Sequence, residues 1–269
     1  MKGITIEQEH ELIPDGTILL GYRGSVAHGT YTPSYGPNAR DDKDLLGVAI
    51  GPINSYFGLS KFEQHIREIE ADDNIIWDVV VYELRKYIRL MLKANPNILS
   101  LLFLPENLYV KKHRLGQRLI DERDIFCSKE AYHSFVGYAH GQLHRMTHPS
   151  GKHMGKKRRD LVMKFGYDTK NASHLVRILR VGIEFLATGE IRVLREDAAE
   201  LIEIKKGEWS LERVERLADE LFAIAHDALI HSPLPIHPDR QRAELLCQEI
   251  LEEWFGANID SVKSDRRNK

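Results

Sequence analysis

Cysteine is nearly absent from this chain. Of 269 residues only Cys127 and Cys247 carry a thiol, far apart and without the paired spacing of a zinc knuckle. That argues against a disulfide-stapled scaffold or a zinc site and suits a reducing compartment. Long apolar runs are missing as well. No stretch approaches the roughly 20 residues that cross a bilayer, and residues 1–14 are charged, without the apolar core of a secretory signal. The expectation is a soluble, cytoplasmic protein. A net charge of −2 excludes a globally basic nucleic-acid binder. Internal repeats and low-complexity segments are lacking too.

What charge there is lies unevenly. Residues 151–180 hold nine Lys/Arg against two Asp/Glu, whereas residues 181–269 hold twelve against nineteen. A basic island in a neutral protein fits a local phosphate site better than whole-surface attraction. With 42% apolar residues the chain can bury one large core or two modest ones. Strands are expected at 17–22, 45–50, 62–69 and 75–81, the third being the least regular. Helical spacing marks 82–93, with a short helix at 97–103 entered through Pro96. Beyond Pro105 the texture is helical: 131–146, 172–188 closed by Gly189, 211–230 capped by Ser210, and 239–255. The tail from 263 is polar. The pattern predicts an α+β protein, with a small mixed-sheet domain over 1–110 and a helical domain over 111–269. Between them lies a cleft of the kind that holds ligands.

Two carboxylates stand out. In Asp42-Lys43-Asp44, followed by the apolar run from Leu45 to Ile50, strand alternation sends Asp42 and Asp44 to one side. Like charges on one face call for a cation, and an all-oxygen pair suits Mg²⁺, or Mn²⁺, shared with substrate phosphates. Upstream, an apolar strand ends in Gly24-Ser25, a turn able to hold phosphate. Asp78 interrupts the β-branched run from Ile75 to Val81, where a buried carboxylate needs a partner. That partner is either a shared metal site with Asp42 and Asp44 or an ion pair with Arg85 or Lys86. Without a base beside it, Ser25 suits phosphate contact better than covalent attack.

The stretches Gly24-Ser25-Val26-Ala27-His28-Gly29-Thr30, Asp42-Lys43-Asp44-Leu45-Leu46-Gly47-Val48, Asp78 through Tyr87, Asn95-Pro96-Asn97-Ile98-Leu99 and Lys170 through Arg180 follow one another in order. Together they resemble the nucleotidyltransferase superfamily that includes DNA polymerase β, and within it the RNA-ligase-associated type of bacterial and phage nucleotidyltransferases. The resemblance implies transfer of a nucleoside monophosphate from an NTP, ATP first, to an acceptor hydroxyl with release of pyrophosphate. It places Asp42, Asp44 and Asp78 at the metal-binding and catalytic positions, and Gly24 and Ser25 at the β/γ phosphates. An RNA 3′ end is the favoured acceptor. A protein hydroxyl or a small molecule is the alternative, and a nucleotide-binding regulator without turnover is the rival of another class. One departure is the wide gap between Ser25 and Asp42, filled by a Pro/Gly-rich loop at 32–40.

Lys170, His174 and Arg177 share one helical face. They are expected to hold a triphosphate, the alternative being a solvated basic face. Lys156-Lys157-Arg158-Arg159 reads as a flexible basic run able to meet polynucleotide phosphates or simply exposed. His140, His144 and His148 recur at helical spacing but lack a following acid, so a metal site there is disfavoured.

Overall fold

The computed structural model describes residues 12–33, 41–70, 75–147 and 156–267. Strand β1 (Thr17–Arg23) runs into a one-turn helix, α1 (Gly24–Ala27), and β2 spans Asp41–Ala49. After α2 (Asn54–Phe57), β3 (Gln64–Glu70) and β4 (Ile75–Glu83) follow. Next come α3 (Leu84–Met91), α4 (Pro96–Leu99) and β5 (Tyr109–Lys112). The sheet order is β3-β4-β2-β1-β5. Among the described residues β2 and β4 pair in parallel, and the other neighbours are antiparallel. The rest is helical: α5 (Arg114–Asp121), α6 (Glu130–Thr147), α7 (Lys156–Phe165), α8 (Thr169–Thr188), α9 (Ala198–Lys206), α10 (Leu211–His231) and α11 (Arg240–Arg267).

This is the α+β architecture expected, a small mixed sheet followed by helices. Several boundaries moved. Strand β2 starts four residues earlier than expected, so Asp42 and Asp44 both lie within the ladder. The third strand runs 64–70 rather than 62–69, and the last helix continues past 255 to Arg267. The basic run at 156–159 opens α7 rather than forming a flexible segment. Strand β5 and helices α5 and α9 carry too short a pattern to stand out by periodicity. Of the inserted loop, residues 34–40 lie outside the described residues, as does His148.

Two apolar layers cover the sheet. On one face Leu20, Leu45, Trp77, Val79 and Val81 pack with Leu12 and Ile13. Lys43 is buried here too, its ammonium 5.0 Å from the Trp77 ring centroid. On the other face Leu46 and Val48 join a cluster that continues through α3, α6 and α8 to Ile250 in α11. Both halves of the chain feed that cluster, so the helices are seated on the same sheet face that carries Asp44.

Helix α8 is the centre of the helical half, packing against α6, α9 and α10. Asp168 caps its start by accepting from the Asn171 amide, and Gly189, at φ 76°, closes it in the left-handed conformation. Phe135 of α6 stacks on Phe185 of α8 at 6.1 Å. Burying such rings contributes about 2–3 kcal/mol each, which fixes the rotation of α8 and therefore which of its polar residues face the sheet.

Candidate active site

Parallel pairing of β2 with β4 puts Asp44 directly opposite Asp78, and antiparallel pairing of β1 with β2 puts Arg23 opposite Asp44. Arg23, Asp44 and Asp78 thus form one row across three strands, on one face of the sheet. Asp42 lies two residues before Asp44 on that face, exposed, opposite Ile76. Glu68 of β3 extends the row beyond Asp78. Neither Glu68 nor Arg23 was singled out as a site residue by sequence reasoning; strand register is the signal that finds them.

The row is joined by one guanidinium. Arg23 Nη2 donates to Asp78 Oδ2 at 3.0 Å and stands 3.9 Å from Asp44 Oδ1. Asp78 therefore has an ion-pair partner, but it is Arg23. Arg85 instead contacts Glu83, and Lys86 contacts Glu63 and Gln64. Nor is Asp78 deeply buried, as an acid inside an apolar run suggests: its side chain is 41% exposed, and on its outer side β4 is flanked by the polar, mostly exposed β3. Asp44 is the more enclosed acid. Burial pushes its carboxyl above the usual range, Arg23 pulls the other way, and the neighbouring charges of Asp78 and Asp42 push it further up. Among the described residues no group of three or more His, Cys, Asp or Glu is arranged to hold a metal ion, so Asp42 is coupled to the pair without closing a ring with it.

Gly24 explains why the turn hugs the acids. Its φ is +64°, and a Cβ there would lie 2.2 Å from Asp44 Oδ2. No other residue fits without pushing the carboxylate aside. Ser25 follows in α1, half-buried, and the turn is tied down by the Thr30 amide bonding the Ser25 carbonyl at 2.9 Å.

Facing this turn is a basic wall. Lys170 is exposed at the start of α8 and acts electrostatically on Asp44. Its companions are not a solvated face: Arg177 is only 8% exposed, and its Nη2 contacts His174 Nδ1 at 2.9 Å. Because a guanidinium only donates, His174 Nδ1 accepts and its proton sits on Nε2. Burial and then Arg177 hold the His174 imidazole well below its usual pKa, so it is neutral near pH 7. His28 behaves alike: its Nδ1 donates to the Val193 carbonyl at 3.0 Å, and burial followed by Arg177 depresses its pKa. Burial lowers Arg177 itself to about 10, and it has no carboxylate partner among the described residues.

Helix α9 adds a residue that sequence reasoning missed. Lys205 Nζ reaches the Thr30 carbonyl at 3.4 Å and is depressed by burial and by Lys170. Arg158 is structural instead, bonding Asn171 at 2.9 Å and Asp168 at 3.4 Å beneath the start of α8. His140 stacks on Phe222, 4.2 Å between centroids, rather than joining a histidine metal site.

The apolar strand β1, the Gly24-Ser25 turn abutting Asp44, and Asp44 in register with Asp78 meet at one place on the sheet, and a family model supplies the class. The model of the RNA repair pathway DNA polymerase beta family matches residues 4–247, and the chain belongs to that family. It is a DNA polymerase β-like nucleotidyltransferase. No curated protein matches the chain. Among solved structures, a nucleotidyltransferase-like protein from Exiguobacterium sibiricum 255-15 is 14% identical, over 91% of this chain and 75% of that one. Its TM-score of 0.30 carries no argument.

Proposed function

We propose that the protein transfers a nucleoside monophosphate from an NTP, ATP first, to a hydroxyl acceptor, with an RNA 3′ end as that acceptor, in the cytoplasm. The observation that supports this most is the row of Asp44 and Asp78, directly opposite on paired strands and abutted by Gly24. The family's description as an RNA repair pathway group supports RNA over a protein or small-molecule hydroxyl.

The donor set fits Mg²⁺ or Mn²⁺: every candidate ligand is a carboxylate oxygen, and Gly24 leaves the Asp44 oxygen uncovered by a side chain. Asp42, Asp44 and Asp78 would hold the ions, whose chemistry is to polarise the α-phosphate and to ease loss of the acceptor proton. Asp78, the more exposed of the paired acids, takes the acceptor hydroxyl's proton as that oxygen attacks in line. Ser25 and the Gly24 backbone cradle the β/γ phosphates. Lys170 and Arg177 neutralise the charge that builds on departing pyrophosphate, and His174 fixes the Arg177 fork. The sheet half, 1–110, supplies the acids and the turn, and the helical half, 111–269, supplies the basic wall.

The test is incubation with each α-labelled NTP, followed by separation of RNA, self-modified protein and small products. Label on RNA, lost in a Asp42→Asn/Asp44→Asn double variant that keeps its melting temperature, is the expected result. Retained labelling in that variant rejects the acid assignment. Label on protein or small molecules moves the acceptor, and nucleotide binding without transfer leaves a regulator.

A further inference from the structure

We propose that Arg23 is the resident counter-cation of the acid row and couples metal binding to nucleotide binding. The inference rests on the metal-site reading of Asp44 and Asp78. The same Nη2 that is 3.0 Å from Asp78 Oδ2 stands 3.9 Å from Asp44 Oδ1, so a positive charge already occupies the space between the two carboxylates that a bridging divalent ion would need. Two cations in that space repel each other, and one displaces the other. Arg23 also has an unused donor: its Nε is buried and without a hydrogen-bond partner among the described residues. Such a donor is costly to leave unmade and marks a missing acceptor. Arg23 is the last residue of β1, and the next two are the Gly24-Ser25 turn to which the nucleotide phosphates are assigned. A phosphate oxygen there gives the guanidinium an acceptor that a metal ion alone does not.

Two states follow. Without nucleotide, Arg23 clamps Asp78 and screens Asp44, and the acids bind divalent ion weakly. With nucleotide, Arg23 turns from the carboxylates to phosphate and the acids are released to the ion. Arg23 is a positioning residue in this scheme, and it makes ion binding conditional on substrate.

The experiment is Mn²⁺ binding to the full chain, read by the electron paramagnetic resonance of free Mn²⁺, with and without a non-hydrolysable ATP analogue. Native protein should bind Mn²⁺ about tenfold or more tightly when the analogue is present, the weight of one charge-assisted hydrogen bond. Arg23→Met should bind Mn²⁺ about tenfold more tightly than native protein in the absence of the analogue, and the tightening the analogue brings, taken relative to Mn²⁺ binding by the analogue alone, should be about tenfold smaller than in native protein. Should Arg23→Met fail to fold, Arg23→Lys, which keeps the charge but loses the fork, should show the same change in smaller measure. Unchanged or weaker Mn²⁺ binding in the folded Arg23 variant, with binding abolished in Asp78→Asn, overturns the competition and leaves the metal site standing. Mn²⁺ binding indifferent to both Asp44→Asn and Asp78→Asn sinks the metal-site reading itself.

Discussion

The acid row and the basic wall face one another but are built differently. Asp42 and Asp78 are exposed or partly so, and Asp44 is only partly enclosed; each is carried on strands whose partners are fixed by main-chain ladders. Arg177 is buried in the helical half with His174, half-buried, against it, and the arginine makes no ion pair with a carboxylate among the described residues. Backbone pairing aims the first set, whereas side-chain burial aims the second. A strand acid can be exchanged for an isostere without disturbing packing. A buried cation with no ion-pair contact, favoured only by the charge of Asp197, lowers stability in return for a preset anion site.

The comparison can be broken at its acid end first. Asp44→Asn or Asp78→Asn should cut nucleotidyl transfer by roughly 10³-fold while thermal melting moves little, since each is a same-shape change on a partly exposed surface. Next, Gly24→Ala should cost about 10²-fold in turnover, because the methyl displaces Asp44 and the turn is strained at positive φ. Steady-state kinetics should show that loss in kcat more than in KM.

At the basic end, Arg177→Met should raise KM for NTP by about tenfold. Its melting temperature should change little, since the guanidinium has no ion-pair contact to lose and only the charge of Asp197, acting without a direct contact, favours it. A large drop in melting temperature would instead make Arg177 a packing residue. The smallest effect concerns acidity. His174 is neutral in the folded protein with a depressed pKa, so the unfolded chain binds more protons once pH falls below the ordinary value of 6.5. Stability should be full above that value and be lost as pH drops through it towards the lower folded pKa. His174→Gln should flatten that acid limb of the denaturation midpoint, with His28 accounting for what remains.

The two regions were not equally legible in the sequence. Asp42, Asp44, Gly24 and Ser25 could be found because period-two alternation and a turn dipeptide are local signals, and β2 bears out the shared face. The pairing of Asp44 with Asp78 is non-local: it needs the parallel ladder, which no window of sequence displays. For the same reason Arg23 is invisible as a partner, and the apolar run around Asp78 suggests burial although its outer neighbour β3 is polar. On α8 the i, i+4, i+7 spacing groups Lys170, His174 and Arg177 but does not show their environment. Whether a Lys-His-Arg stripe is solvated or enclosed depends on α6, α9 and α10 packing over it. Lys205 was missed because α9 is short and its lysines sit in an ordinary charged helix end.

Trp77 precedes Asp78 on β4 and points to the opposite side of the sheet, 3% exposed, beside the Lys43 ammonium and 6.3 Å from the Tyr22 ring. Lys43 lies between Asp42 and Asp44 on β2, so the indole and its cation are bonded neighbours of the acids themselves. With the other two tryptophans, Trp209 and Trp254, replaced by phenylalanine, its emission becomes an optical gauge of strand alignment. A slip of β2 against β4 by one residue would turn Lys43 to the other face and change the fluorescence before any substrate is added.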